Sequence, residues 1–130
     1  MTGFMYLILF FLAGVAEAHM DTLQFHFHRS KFSYFKNQQY WNPNISWKNK
    51  YKLGDPRYGA LFPGSTTIFV FLTDGWHIMK FYRNLFIFVG IYFIASYNYG
   101  DLKVALICTI IARVVYGVAF SAFMHILLRD

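Results

Sequence analysis

Apolar positions along this chain are blocked rather than scattered, falling in residues 3–16, 68–98 and 102–128. A bilayer core takes roughly 20 mostly apolar residues per helix, so blocks of this kind predict membrane spans. The first helix is expected from about Gly3 to about His28, some 26 residues or about 39 Å, enough to cross and emerge at the interface. The second is expected from Thr66 to about Tyr97, with Ser65 as its N-cap after Phe62-Pro63-Gly64. At about 48 Å it exceeds the hydrocarbon core, so it either tilts strongly or breaks near Gly75 or Arg83-Asn84. Tyr97-Asn98-Tyr99-Gly100-Asp101 reads as a tight turn, and a last helix follows from about Leu102 to Leu128. Gly117, Ala119, Ser121 and Ala122 give that helix a small-residue face for close packing. The fold class is therefore an all-α integral membrane protein, a single domain over 1–130 with three transmembrane helices, the second long.

Residues 29–64 form the one extended polar stretch. Asn42-Pro43-Asn44 and Gly54-Asp55-Pro56 are turn signals, and neither a helical nor a strand period is sustained. Tyr34, Phe35, Tyr40, Trp41, Trp47, Tyr51 and Tyr58 alternate with Lys and Arg, a mixture suited to the headgroup layer. The expectation is an ordered interfacial loop with at most one short helix.

Within the apolar blocks, the exceptions carry the chemistry. Glu17, Asp21, Gln24 and His28 fall at i, i+4, i+7 and i+11, one stripe of a helix. Asp74 and His77 are neighbours at i, i+3, with Thr66, Thr73, Lys80 and Asn84 extending that side. Arg113, Tyr116, Gly117, Ser121, Met124 and His125 form a band on the last helix. Charge at bilayer depth is costly, so such stripes are expected to turn inward together into one polar pocket. Three readings compete for it. In the first, Glu17, Asp21, Asp74, His77, His28 and His125 ligate a divalent metal, with Zn, Fe or Mn suited to carboxylate and imidazole donors. Asp-x-x-His on one face echoes, without the repeat, the Glu-x-x-His pairing of helical di-iron sites. Such a centre would serve a membrane enzyme acting on a lipid-like substrate. In the second, the same groups relay protons or ions. In the third, they are structural, or the protein is an accessory subunit docking a partner membrane protein, a second copy or anionic lipid. Lys48, Lys50, Lys52, Trp41 and Trp47 would make that contact. Arg113 is the expected counter-charge or anion-binding group, with Lys80 and Arg83 snorkelling to headgroups.

Composition supports the membrane class: 57% hydrophobic and 22% aromatic residues against 14% charged exceed what a soluble core of this size uses. The net charge of +6 does not point to nucleic acid. Arg29, Lys31, Lys36, Lys48, Lys50, Lys52 and Arg57 all lie in the polar stretch, where Asp55 is the only acid and no nucleic-acid motif occurs. A basic loop between spans reads instead as cytoplasmic orientation and contact with anionic headgroups. The N-terminus and the 98–101 turn are then outside and the C-terminus inside, which sets the pocket in the inner leaflet. The Asn44-Ile45-Ser46 sequon would be silent on that side. Gly3–Val15 followed by Ala16-Glu17-Ala18 has the look of a secretory leader, but no Lys or Arg precedes it, so a retained helix is expected. The single cysteine, Cys108, reads as an apolar filler.

The segments Met20-Asp21-Thr22-Leu23, Trp41-Asn42-Pro43 to Trp47-Lys48-Asn49-Lys50, and Phe62-Pro63-Gly64-Ser65-Thr66-Thr67 to Thr73-Asp74-Gly75-Trp76-His77 resemble a group of small membrane proteins of Bacteroidetes-type bacteria. The resemblance implies a bacterial inner membrane and brings no activity with it.

Overall fold

The structure, a computed structural model, describes residues 5–111 and 114. Its regular elements are helical throughout. Among the described residues there is no strand, only an isolated antiparallel bridge between Tyr51 and Ala60. Two helices dominate: α1 (Met5–Phe25) and α4 (Gly75–Tyr99). Between them lie the one-turn helices α2 (Gln38–Trp41) and α3 (Pro43–Ser46) and several 3-10 turns. A further helix, α5, is described over Leu102–Ile111.

At 21 and 25 residues, α1 and α4 are long and apolar enough to cross a membrane. They would span about 32 and about 38 Å, against a hydrocarbon core of about 30 Å. Much of their apolar surface is exposed, Phe11 by 70%. The expected third span reaches only as far as α5 within the description, since most of its length lies outside the described residues.

The chain divides into two compact units. In the described part, one unit takes the first turns of α1 with the chain from Leu85 onward. Here Gly90 of α4 lets Phe10 and Leu9 approach, with a notional Cβ 3.4 Å from the Phe10 ring. Helix α4 ends at Gly100, whose positive φ of 65° and N–H bond to Ser96 O (3.0 Å) form a left-handed cap. Asp101 Oδ1 then accepts the Lys103 N–H (2.8 Å) and starts α5. The connection expected over residues 97–101 narrows to Gly100-Asp101, because Tyr97 to Tyr99 finish α4.

The other unit, Leu12–Asn84, holds the polar cap. The α1 residues Ala13, Ala16, Met20 and Leu23, with Phe27 beyond the helix end, are buried in one stripe. The polar stretch expected as a loop is a chain of single turns, three of them begun by a short polar side chain. Asn37 accepts from Tyr40 N–H, Asn42 from Asn44 N–H, and Asp55 from Arg57 N–H. Pro43 and Pro56 sit at first-turn positions behind the last two. One-turn helices leave no hydrophobic period for a sequence reading to detect.

The second long helix departs from expectation at its start. Thr66 is not helical, and residues 65–74 wind through turns, with Phe69 N–H returning to Gly64 O (2.9 Å), before α4 begins at Gly75. No α-helical segment lies in residues 65–74, so the helix starts at Gly75 rather than breaking in two, and Arg83-Asn84 continues it. Ser65 is not an N-cap. Fully buried, its hydroxyl donates to Lys50 O (2.7 Å) and ties the two sides of the cap together.

Candidate functional site

Asp74 begins α4. Its Oδ1 accepts the N–H of His77 (2.9 Å), the third residue of the helix, so it is the N-cap that the N-terminal backbone groups require. The same spacing carries the His77 ring over the carboxylate. Nδ1 lies 2.9 Å from Oδ1 and 2.7 Å from Oδ2. A carboxylate oxygen only accepts, so Nδ1 carries the proton. Nε2 is left without a hydrogen-bond partner among the described residues.

The cap fixes this pair from behind. Thr73 Oγ1 sits 3.2 Å from Asp74 Oδ2 and 2.7 Å from Val70 O. The Thr73 carbonyl accepts from Asn49 Nδ2 (2.8 Å), and Asn49 is itself held by Gln39, to whose carbonyl it also donates and from whose side-chain amide it accepts. Trp41 packs between the cap and α4. It stacks on Phe32, with ring centroids 5.3 Å apart, and meets Phe35 and Tyr40 edge-on. A side chain on Gly75 would run into the Trp41 ring, so only glycine lets α4 start there. Trp41, expected as a lipid or partner contact, thus packs against these rings and the start of α4. Trp47 remains 41% exposed, with its indole N–H on Asn44 O (3.1 Å).

Electrostatics follow from burial. Asp74 is 2% exposed. Burial alone would push its carboxyl pKa up. The hydrogen bonds from the His77 ring and N–H, the His77 charge and the Thr73 hydroxyl outweigh that and hold it below its ordinary 3.8. The charge reaches the neighbouring Tyr40, whose phenol is raised first by burial and then by Asp74 and Tyr82.

The dyad opens on a depression of about 320 Å³, lined also by Gln24, Asn44, Ser46, Trp47 and Trp76. Amides and a hydroxyl face an indole-rich wall. His77 is partly exposed there, at 24% of its side chain. Trp76 Nε1 is buried with no acceptor among the described residues, while the Trp76 ring carries Lys80 Nζ at 5.0 Å.

Of the α1 stripe only Gln24 reaches the dyad's depression, so the expected convergence forms only in part among the described residues. Glu17 pairs with Arg83 Nη1 at 2.7 Å, and Asp21 and His28 are exposed. His28 lines a neighbouring depression of about 370 Å³. The α1 face that packs is its Ala–Met–Leu stripe, because burying small and apolar groups costs no desolvation of charge. No three His, Cys, Asp or Glu residues approach one another closely enough to hold a metal ion among those described. Asp74 also fits a metal poorly, since both its oxygens are engaged by His77 and Thr73. Arg113 and His125 lie outside the described residues.

The sequence reading missed Arg83 as the partner of Glu17, and it missed Asn49 and Tyr40 around Asp74. For Arg83 a signal existed: like Glu17, it interrupts an apolar run. Asn49 had none, because its partners lie ten and 24 residues away.

Comparison with protein-family models, with curated proteins and with solved structures finds no match for this chain.

Proposed function

We propose that this protein is a small integral membrane enzyme, with His77 as a general acid–base oriented by Asp74 and acting on a lipid-like substrate. The observation that carries the reading is the dyad. A buried, ionised carboxylate holds Nδ1, and Nε2 is left as the basic nitrogen beside an amphipathic depression. In this scheme Nε2 takes a proton from a hydroxyl or water as it attacks, Asp74 stabilises the imidazolium, and the proton passes to the leaving group. The apolar α1 and α4 anchor the site in the membrane in this scheme, with a third span expected from about Leu102 to Leu128. In this reading the basic cap faces the cytoplasm of a bacterial cell and the N-terminus is outside, as an excess of Lys and Arg on the inner side would favour. Among the described residues no ligand set for Zn, Fe or Mn is assembled.

The test is lipid turnover. Full-length protein in nanodiscs made from bacterial lipid extract is incubated and the lipids are compared by mass spectrometry. Wild type is expected to convert at least one lipid class, with His77→Gln and Asp74→Asn each slowing it by about a hundredfold or more. Unchanged lipids with wild type, or turnover retained in folded His77→Gln protein, would refute the reading.

A further inference from the structure

Two local rules are broken together at Leu53. Residues 52–55 form a turn closed by Asp55 N–H on Lys52 O (3.1 Å), with both central residues left-handed: Leu53 at φ 54° and Gly54 at φ 72°. This is the mirror-image type I turn, whose first central position favours Asn, Asp or Gly. A leucine there crowds its Cβ against the backbone carbonyl. No burial offsets the strain, for Leu53 is 87% exposed.

The turn is nonetheless held firmly. Lys52 N–H donates to Gly59 O (3.0 Å), Leu61 N–H to Lys50 O (2.9 Å), and Ser65 Oγ to that same carbonyl. The Lys48 stem lies along the turn, 3.4 Å from where a Gly54 Cβ would stand. Leu53, Leu61 and Leu72 share with Lys48 a shallow depression of about 530 Å³, and all three leucines are exposed. The same segment carries Lys50, Lys52 and Arg57, the last two exposed. The one acid, Asp55, is engaged by Arg57 at 2.6 Å. The surface is thus apolar at its tip and cationic around it, a pairing complementary to anionic headgroups over acyl chains.

We propose that residues 48–61 are a membrane-contact loop that docks on an anionic lipid surface, with Leu53 inserted among the headgroups and Lys48, Lys50 and Lys52 on phosphates. This rests on the membrane reading above, because the unit that holds the loop also holds the end of α1 and the start of α4. Those helix ends keep the loop within reach of one membrane face.

The test uses full-length protein with Cys108→Ala and Leu53→Cys, labelled with an environment-sensitive fluorophore. It is reconstituted in vesicles of phosphatidylcholine alone or mixed with phosphatidylglycerol. The expected result is a blue shift and loss of aqueous iodide quenching only with phosphatidylglycerol, reversed by salt and by Lys48→Gln, Lys50→Gln and Lys52→Gln together. Excess inorganic phosphate should not reverse it, and reversal by phosphate would replace the lipid surface with a soluble anion. Leu53→Asn, unlabelled, should raise the melting temperature in detergent while losing the protection that phosphatidylglycerol gives the loop against trypsin. A purely structural Leu53 would do the opposite. If position 53 stays equally open to iodide in both vesicles while the protein resists alkaline extraction, the loop proposal falls and the membrane reading stands. If alkali releases the protein, both fall.

Discussion

The long helices and the polar cap are held together by different physics. Within α1 and α4, backbone bonding is internal and the side chains are mostly apolar, so length and hydropathy account for them. Apart from the ring cluster of Phe32, Phe35, Tyr40 and Trp41, the cap has little apolar interior. It is joined by single side chains reaching distant carbonyls: Gln38 to those of Phe32, Ser33 and Phe35, Asn49 to those of Gln39 and Thr73, Ser65 to that of Lys50. A helix of this kind tolerates many apolar exchanges, whereas the cap depends on particular polar atoms at particular places. The Asp74–His77 dyad sits at the junction and draws on both, being a helix cap and a member of the cap's hydrogen-bond network.

That contrast can be broken most severely at Trp41. Trp41→Ala should cost about 3 kcal/mol in detergent melts, and Gly75→Ala about 1–3 kcal/mol through overpacking against the same ring. Because the two touch, the double substitution should cost clearly less than the sum, and strict additivity would argue that the ring and the helix start do not meet. Next in size is Asn49→Ala. It strands the Thr73 and Gln39 carbonyls and should cost about 2–3 kcal/mol, while Asn44→Ala, exposed and outside this brace, should cost well under 1 kcal/mol.

Asp74→Asn should lose about 1–2 kcal/mol as cap and charge-assisted partner. Its sign with pH is fixed by the depressed folded pKa. The stabilisation is complete above the ordinary 3.8 and is lost as pH falls through the lower folded value. A melting-temperature profile should therefore show a steeper acid limb for wild type than for Asp74→Asn, and parallel limbs would contradict the dyad. The smallest effect belongs to Glu17→Gln. With the carboxylate 47% exposed, its pair with Arg83 should contribute no more than about 1 kcal/mol in detergent.

Much of the scaffold was legible. The apolar blocks gave α1, α4 and the beginning of α5, and Asn98 to Asp101 marked the turn between the last two. The sequence pattern predicts a start for α4 nine residues before Gly75, because Thr66 to Asp74 is apolar enough to extend a helical pattern. What stops it is Asp74 acting as a cap in a buried setting, which periodicity does not register. The cap was read as a loop because its helices are single turns set by Asn37, Asn42 and Asp55.

The sequence by itself determined the apolar helices and the Asp74–His77 pair, since both follow from local spacing: hydropathy over about 20 residues, and an i, i+3 relation on one helix face. Only the tertiary structure decided that Glu17 meets Arg83, 66 residues away, that Trp41 lies over Gly75, and that Asp21 and His28 stay outside. A helical stripe says which residues share a face. Which face turns inward depends on what the neighbouring segments offer it, and in α1 the small apolar stripe packs more cheaply than the charged one.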